Sequence, residues 1–152
     1  MLDRQLADFL EAGLAIYIAS RNADLEPNGA HVVAVKVDDD LQHVVAFVPT
    51  VSAGAVLEDL RSNGQVAVVF TRPPDEKGCQ VKGVFTDARD ARPGERDLVL
   101  GQWERFRDRL EQVGLPRAPT DAWVTWPSVA IRFRVNALFD QTPGPGAGAP
   151  LP

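Results

Sequence analysis

The feature that most constrains the fold is an alternation of apolar and polar residues near the C-terminus. Between residues 129 and 136, large apolar side chains occupy every second position: Val129, Ile131, Phe133 and Val135. A period of two is typical of a β-strand with one face in the core and the other in water. Other short runs of β-forming residues precede this one. This pattern therefore predicts a sheet whose strands are joined mainly by short turns.

Five further strands are predicted, at residues 14–20, 30–37, 43–48, 65–71 and 79–87. The polar turn at residues 38–40 has the length of a hairpin connection. Pro49 ends the strand that follows this turn, because proline cannot donate to a ladder. Regular alternation of strand and helix is missing, which argues against a parallel sheet. We expect a mainly β fold, an antiparallel barrel with helices over its ends and flanks.

Three helices are predicted beside the strands. The first is short, carries Leu2, Leu6, Phe9 and Leu10 at helical spacing, and stops at Gly13. The second is predicted to be N-capped by Ser52 and to end at Asn63-Gly64, where left-handed geometry is tolerated. The third should span residues 95–113, with an apolar side made of Leu98, Phe106, Leu110 and Val113.

The length of 152 residues is that of a single domain, which we place at residues 1–140. Residues 141–152 form a tail of mainly proline, glycine and alanine. Such a segment cannot bury enough apolar surface to fold alone.

Charge and cysteine content exclude several classes of protein. The net charge of -5 repels a phosphate backbone, so no nucleic-acid partner is expected. Cys79 is the single cysteine, which excludes an internal disulfide and a zinc site with several thiolates. No apolar run approaches the ~20 residues of a membrane span, and the N-terminus does not read as a signal peptide. We expect a soluble, cytoplasmic protein without a membrane partner.

The two histidines and the cysteine have ordinary interpretations that we favour. His31 and His43 lie on either side of a hairpin turn, and two histidines with a carboxylate can bind a metal. Strand histidines near the surface are more commonly without one, so no metal is expected. Cys79 beside an apolar strand reads as an inert core thiol.

The residues with more informative chemistry lie between positions 30 and 82. His31 and Lys36 are potential cations five positions apart, so an ideal strand directs them to opposite faces unless a bulge intervenes. The segment 48–52 leads into a helix N-terminus, whose unpaired N–H groups favour phosphate. The amide of Gln80 can bond to the edge of a flat ring.

In order and spacing, this stretch of the chain resembles the pyridoxamine 5′-phosphate oxidase-like family, the FMN-binding split barrels. The resemblance runs from about residue 14 to residue 85. It is carried by four segments: His31-Val-Val-Ala-Val-Lys36, Phe47-Val-Pro-Thr-Val-Ser52, Asn63-Gly64 and Gln80-Val-Lys-Gly83. The glycine-rich C-terminus also looks like that of small members of the family.

The resemblance implies a homodimer with FMN lying between the subunits. It implies that flavin contacts come from a set of eight residues: His31, Val32, Lys36, Phe47, Val48, Thr50, Ser52 and Gln80. Of these, His31, Lys36, Thr50 and Ser52 are assigned to the phosphate and ribityl side, and Gln80 to the isoalloxazine edge. His31 stands where the family usually has arginine. Ala53 and Gly54 stand where it has an Arg-Lys pair, which removes two charge-assisted hydrogen bonds.

The function implied by the resemblance is that of an FMN-dependent oxidoreductase acting on a small-molecule substrate. No side chain stands out as a general acid or base. The alternative is a module that holds a flavin, a deazaflavin or a haem without turnover, as a carrier or sensor. A third hypothesis is a barrel that has lost its ligand and acts only through its dimer surface.

Overall fold

A computed structural model of the chain describes residues 2–152, and its centre is one seven-stranded antiparallel sheet. The strands are β1 Ala15–Arg21, β2 Pro27–His31, β3 Ala34–Val37, β4 His43–Pro49, β5 Gln65–Thr71, β6 Gly78–Asp90 and β7 Ser128–Asp140. The helices are α1 Arg4–Leu10, α2 Gly54–Asn63, α3 Arg96–Gln112 and α4 Ala118–Asp121. The order across the sheet is β2-β1-β5-β6-β7-β4-β3, and every pairing is antiparallel. The predicted mainly β split barrel with flanking helices is confirmed.

The sheet curls so far that its two edge strands lie side by side. β2 and β3 are separated in the chain only by Val32 and Val33, and these two residues bond to opposite edges of the sheet. The backbone N–H of Val32 donates to the Ile16 carbonyl of β1 over 2.9 Å, and that of Val33 donates to the Phe47 carbonyl of β4 over 2.9 Å. The prediction of one strand at residues 30–37 is therefore wrong, because the chain changes edge at this point. Val32 and Val33 are both buried, so the sequence has no polar position that would mark the break.

The barrel interior is apolar, and a helix closes each end of it. Strands of the whole sheet contribute to the core, with Phe70, Ile131 and Phe133 fully buried. At one end, Leu10 of α1 packs against the core of the barrel. At the other end α2 inserts Val56 and Leu60, and its left-handed C-cap at Gly64 (φ 72°) confirms the predicted helix end.

Ser52 does not cap α2, so that prediction is wrong. Thr50–Ser52 form a single 3-10 turn, and the Ser52 hydroxyl donates back to the Pro49 carbonyl over 3.1 Å. The α-helix begins only at Gly54 and has no side-chain cap. The tight turn after Pro49 therefore satisfies the hydroxyl locally before the helix starts.

Helix α3 lies outside the barrel and forms a second apolar layer over β3, β4 and the start of β7. Val99, Trp103 and Phe106 pack there against Phe47 and its neighbours. The predicted helix is confirmed within a residue at each end, but Val113 falls beyond it and is 44% exposed. The buried stripe runs through Trp103 because β3 and β4 pass beneath that side of the helix.

The C-terminal tail returns along β7 over the part of that strand that extends beyond β4. The Leu151 N–H donates to the Leu138 carbonyl over 2.8 Å, and the Asp140 N–H donates to the Ala149 carbonyl over 2.9 Å. Thr142 anchors the intervening loop to Gly78. Within residues 2–152, no helix has the length and apolar character needed to cross a membrane.

Candidate functional site

The outer surface of the curled sheet is covered on one half only. Helix α3 packs over β3, β4 and the start of β7. No helix of residues 2–152 lies over the outer side of β1, β5, the start of β6 and the end of β7, where Tyr17 is 49% exposed. We call this surface the open face; it consists of Tyr17, Ala19, Ala67, Val69, Gln80, Lys82 and Phe139.

A cross-strand row of side chains connects two of the predicted site residues on the open face. The pairs are His31 with Tyr17, Tyr17 with Val69, and Val69 with Gln80. Neighbouring strands lie about 4.8 Å apart, so three steps separate His31 from Gln80 by about 14 Å. The Gln80 amide makes no hydrogen bond to another described residue and is half-buried. A flat ligand lying across Tyr17 and Val69 would reach the Gln80 amide.

His31 sits at the end of the row among aromatic rings. Its ring centroid lies 4.8 Å from that of Trp123, 5.2 Å from Tyr17 and 5.5 Å from Trp103. Burial without a polar partner lowers the pKa of His31 to about 4. Its Nε2 is buried and has no hydrogen-bond partner among residues 2–152. The imidazole is therefore neutral near pH 7 and brings no positive charge to the site.

The other polar residues predicted for the site lie on a different part of the molecule. Lys36 is exposed on β3, and Thr50 and Ser52 are exposed in the turn before α2. On β7, Phe47 of β4 pairs with Ala130 whereas Gln80 of β6 pairs with Phe139. These two positions are nine residues apart along β7, although the closure of the barrel brings Phe47 beside Val33, two residues from His31. Thr50 and Ser52 therefore lie outside the row that runs from His31 to Gln80.

Three of the predicted contact residues are part of the core. Val32, Phe47 and Val48 have at most 1% of their surface exposed. Val32 and Val48 face the barrel interior, and Phe47 lies under α3. Their side chains are therefore packed in the core and are not exposed to a ligand at the surface.

The free edge of β3 is already bonded by side chains, which the sequence did not reveal. Gln102 of α3 donates from Nε2 to the Val35 carbonyl over 2.7 Å, and its Oε1 accepts from the Val35 N–H over 3.0 Å. Glu11 accepts from the Val37 N–H over 2.6 Å. A single glutamine within an apolar helical stripe gives no sequence signal for this role.

Two depressions in the surface are large enough for a ligand group. A groove of about 360 Å³ crosses the open face between Ala19, Ala67, Lys82 and Asn136. A wider cleft of about 580 Å³ lies at the α1 end of the barrel and is lined by Phe9, Arg72, Lys77 and others. None of the eight predicted site residues lines either one, but Lys82 of the groove lies two positions from Gln80 on β6.

Cys79 and His43 follow the ordinary interpretations of the sequence. Burial raises the pKa of the Cys79 thiol to about 12, which keeps it protonated and unreactive. His43 Nδ1 lies 2.6 Å from the Asp40 carboxylate, and Asp38 pairs with Arg132 over 2.8 Å. Asp38, Asp40 and His43 are close enough together to hold a cation. His31 lies in the aromatic cluster and does not join them.

Comparison with known proteins supports the fold. No protein-family model matches the chain, and no curated protein sequence matches it. Among solved structures, HupZ of Group A Streptococcus is similar at 15% identity and a TM-score of 0.59, over 98% of this chain and 99% of that one.

Two further structures are similar at 13% identity. One is described as an FMN-binding protein from Syntrophomonas wolfei (TM-score 0.53, 91% of this chain and 87% of that one). The other is a protein of the pyridoxine phosphate oxidase family from Clostridium acetobutylicum, related to general stress protein 26 of B. subtilis (TM-score 0.51, 90% and 84%). At such identities the likeness is one of fold. The chain has the split-barrel fold of the pyridoxamine 5′-phosphate oxidase-like proteins.

Proposed function

We propose that the chain binds FMN on its open face and acts as a flavin-dependent oxidoreductase on a small-molecule substrate. The observation that carries the proposal is the row from His31 to Gln80. It is a strip of sheet in which Tyr17 and Val69 lie between the aromatic cluster around His31 and the unpartnered Gln80 amide. A flat ring with a hydrogen-bonding edge fits such a strip. One protein of similar fold is described as FMN-binding, which agrees with this ligand.

Most side chains of the row have a part in holding the ring. Tyr17 and Val69 provide an apolar surface from which a flat ring excludes water. The Gln80 amide offers both a donor and an acceptor to the ring edge. His31, neutral and surrounded by aromatic rings, bounds the other end of the strip, where its buried Nε2 makes no contact with the ring. When bound, the flavin supplies the hydride or electron transfer, and the protein orients it and tunes it by these contacts.

We further propose that the site is completed by a second copy of the chain. Lys36 on β3, and Thr50 and Ser52 in the turn before α2, lie outside the row that runs from His31 to Gln80. In a homodimer with the open face at its centre, the partner would supply them at the phosphate end. A monomeric mass in solution at ~50 µM with flavin bound, measured by light scattering, would contradict this arrangement.

The alternative is a binding module without turnover, and one observation favours it. Ala53 is buried and Gly54 is exposed at the start of α2, so this helix start carries no basic pair for a phosphate. Each charge-assisted hydrogen bond is worth about 1.5–3 kcal/mol, so FMN affinity falls by orders of magnitude without them. Steady-state oxidation of a reduced nicotinamide cofactor by the flavin-loaded protein separates the enzyme from a carrier or sensor.

The first test of the proposal is an absorption spectrum after reconstitution. The protein is mixed with excess FMN, freed of unbound ligand and compared with a Gln80→Leu variant. We expect a retained flavin band whose fine structure changes in the variant, because the contact to the ring edge is lost. Gln112→Leu, at an exposed position of α3, is the matched control. A spectrum without a flavin band in the wild-type protein would refute flavin binding.

The phosphate end is tested by replacing Lys36. We expect Lys36→Ala to weaken FMN more than riboflavin, because the lysine contacts only the phosphate. Titration of both ligands by flavin fluorescence measures the two affinities. Equal losses for FMN and riboflavin would contradict the phosphate role of Lys36.

A further inference from the structure

The groove on the open face differs in charge from the rest of the molecule. The chain carries 21 acidic and 16 basic residues, yet the groove is lined by Arg21 and Lys82 and by no carboxylate. The larger cleft at the α1 end is lined by two basic residues together with three aspartates, Asp3, Asp8 and Asp140. A local concentration of positive charge on an acidic protein is the condition for an anion site.

Both cations of the groove are available to a ligand. Neither Arg21 nor Lys82 forms an ion pair with a carboxylate of residues 2–152, and both are exposed. The Lys82 ammonium lies 5.0 Å from the centre of the Phe139 ring, and one guanidinium nitrogen of Arg21 donates to the Asn22 carbonyl over 3.2 Å. Arg72 in the larger cleft, in contrast, is held by Asp75 through two hydrogen bonds.

The backbone beneath the groove makes room for a ligand group. Ala19 and Ala67 pair across β1 and β5, and Lys82 is the next residue in the same row. Their methyl groups leave a low floor between the two cations. A β-bulge opposite Lys82 and Gly83 leaves Asn136 without a cross-strand partner and presents its exposed amide at the rim.

We propose that this groove is a phosphate subsite, with Lys82, Arg21 and the Asn136 amide as its donors. A phosphomonoester has up to two negative charges and three acceptor oxygens, enough for two cations and an amide, whereas a carboxylate has one charge and two oxygens. Lys82 follows Gln80 by two positions on one strand, so the subsite lies about 7 Å from the proposed contact to the ring edge.

Two ligands would bring the same chemistry to this position. One is the phosphate of the flavin itself, in which case Lys36 is not its phosphate ligand. The other is the phosphate of a substrate placed beside the ring. The location of the subsite next to a flavin rests on the proposed function, but the binding of phosphate in the groove does not.

The first arm of the test uses flavin-free protein and inorganic phosphate. Amide shifts of Gly83 and Asn136 are followed by NMR during titration of the wild type, of the Lys82→Met/Arg21→Gln double variant and of Lys77→Met. We expect saturable shifts in the wild type, at least about tenfold weaker binding in the double variant, and unchanged binding in Lys77→Met, which removes a lysine from the other cleft. Absence of saturable shifts in the wild type, or equal binding by the double variant, would overturn the proposal.

The second arm identifies the occupant by comparing FMN with riboflavin in the same proteins. A loss of about ten- to a hundredfold for FMN alone in the double variant assigns the groove to the phosphate of the flavin. Unchanged FMN affinity, with phosphate binding lost in the first arm, excludes the phosphate of the flavin and leaves a phosphorylated ligand other than the flavin. If the wild type retains no flavin at all, the proposed function fails while the phosphate titration still decides the groove. Thermal unfolding of each variant shows whether the fold is intact.

Discussion

Gln102 is predicted to be a main support of the barrel edge, because its amide replaces a neighbouring strand. It is 3% exposed and bonds both the N–H and the carbonyl of Val35 on the edge strand β3. Leucine has a similar volume and neither polar atom. In a Gln102→Leu variant, two backbone groups would therefore remain buried under α3 without partners.

The expected loss of stability follows from these two groups. A buried, unsatisfied donor or acceptor costs about 1–3 kcal/mol, so the pair costs about 2–6 kcal/mol. Burial of the leucine side chain offsets about 1–2 kcal/mol of this. We expect the free energy of unfolding to fall by about 3 kcal/mol, a large part of the ~5–15 kcal/mol of a typical domain. The melting temperature would fall by roughly 6–12 °C.

Equilibrium unfolding in urea measures this loss. Gln112→Leu is the matched control, since the same substitution at an exposed position of the same helix should change stability by less than about 0.5 kcal/mol. A loss below about 1 kcal/mol for Gln102→Leu, or one equal to that of the control, would show that the amide does not support the edge of β3.

Three further predictions concern the backbone and two titrating groups. Gly83→Ala places a Cβ 2.4 Å from a β7 carbonyl oxygen, so urea unfolding should show a loss of about 1–3 kcal/mol, against almost none for the open position Gly94→Ala. The Arg89 side chain lowers the pKa of Glu95 to about 2. The contribution of the Arg89–Glu95 ion pair to folding stability is therefore complete above pH ~4.5 and lost towards pH 2. Glu95→Gln should reduce stability at pH 6 but not at pH 2. The ring of His31 should titrate near pH 4 by NMR; because the folded state resists protonation, stability should rise from pH 4 to 6.5 in the wild type and less in His31→Phe.

Much of the secondary structure could be predicted because its signals are local. The hairpin of β3 and β4, the strand β5, the long helix α3 and the glycine that ends α2 all follow from periodicity and turn residues. The two wrong predictions have a common reason. The break after His31 and the capping of Ser52 depend on which distant backbone groups are within reach, and neighbouring residues carry no information about that.

The candidate site was predictable only in part. The resemblance selected Gln80 and His31, and the strand register places them at the two ends of one cross-strand row. The sequence did not identify Tyr17 and Lys82 as residues of the open face, because an isolated tyrosine or lysine on a strand is common. The neutrality of His31 also had no signal, since it results from aromatic rings contributed by α3 and by the segment after it.

The sequence by itself determined that the chain forms antiparallel strands with a few helices, since alternation and turn chemistry act between residues close in the chain. Only the tertiary structure decided which residues share a surface. Strand register set the row from His31 to Gln80, and the curl of the sheet joined its edges at Val32 and Val33. The packing of α3 covered one half of the barrel and left the other half open. These outcomes depend on contacts between residues far apart in the chain, whose relative positions are fixed only when the core closes.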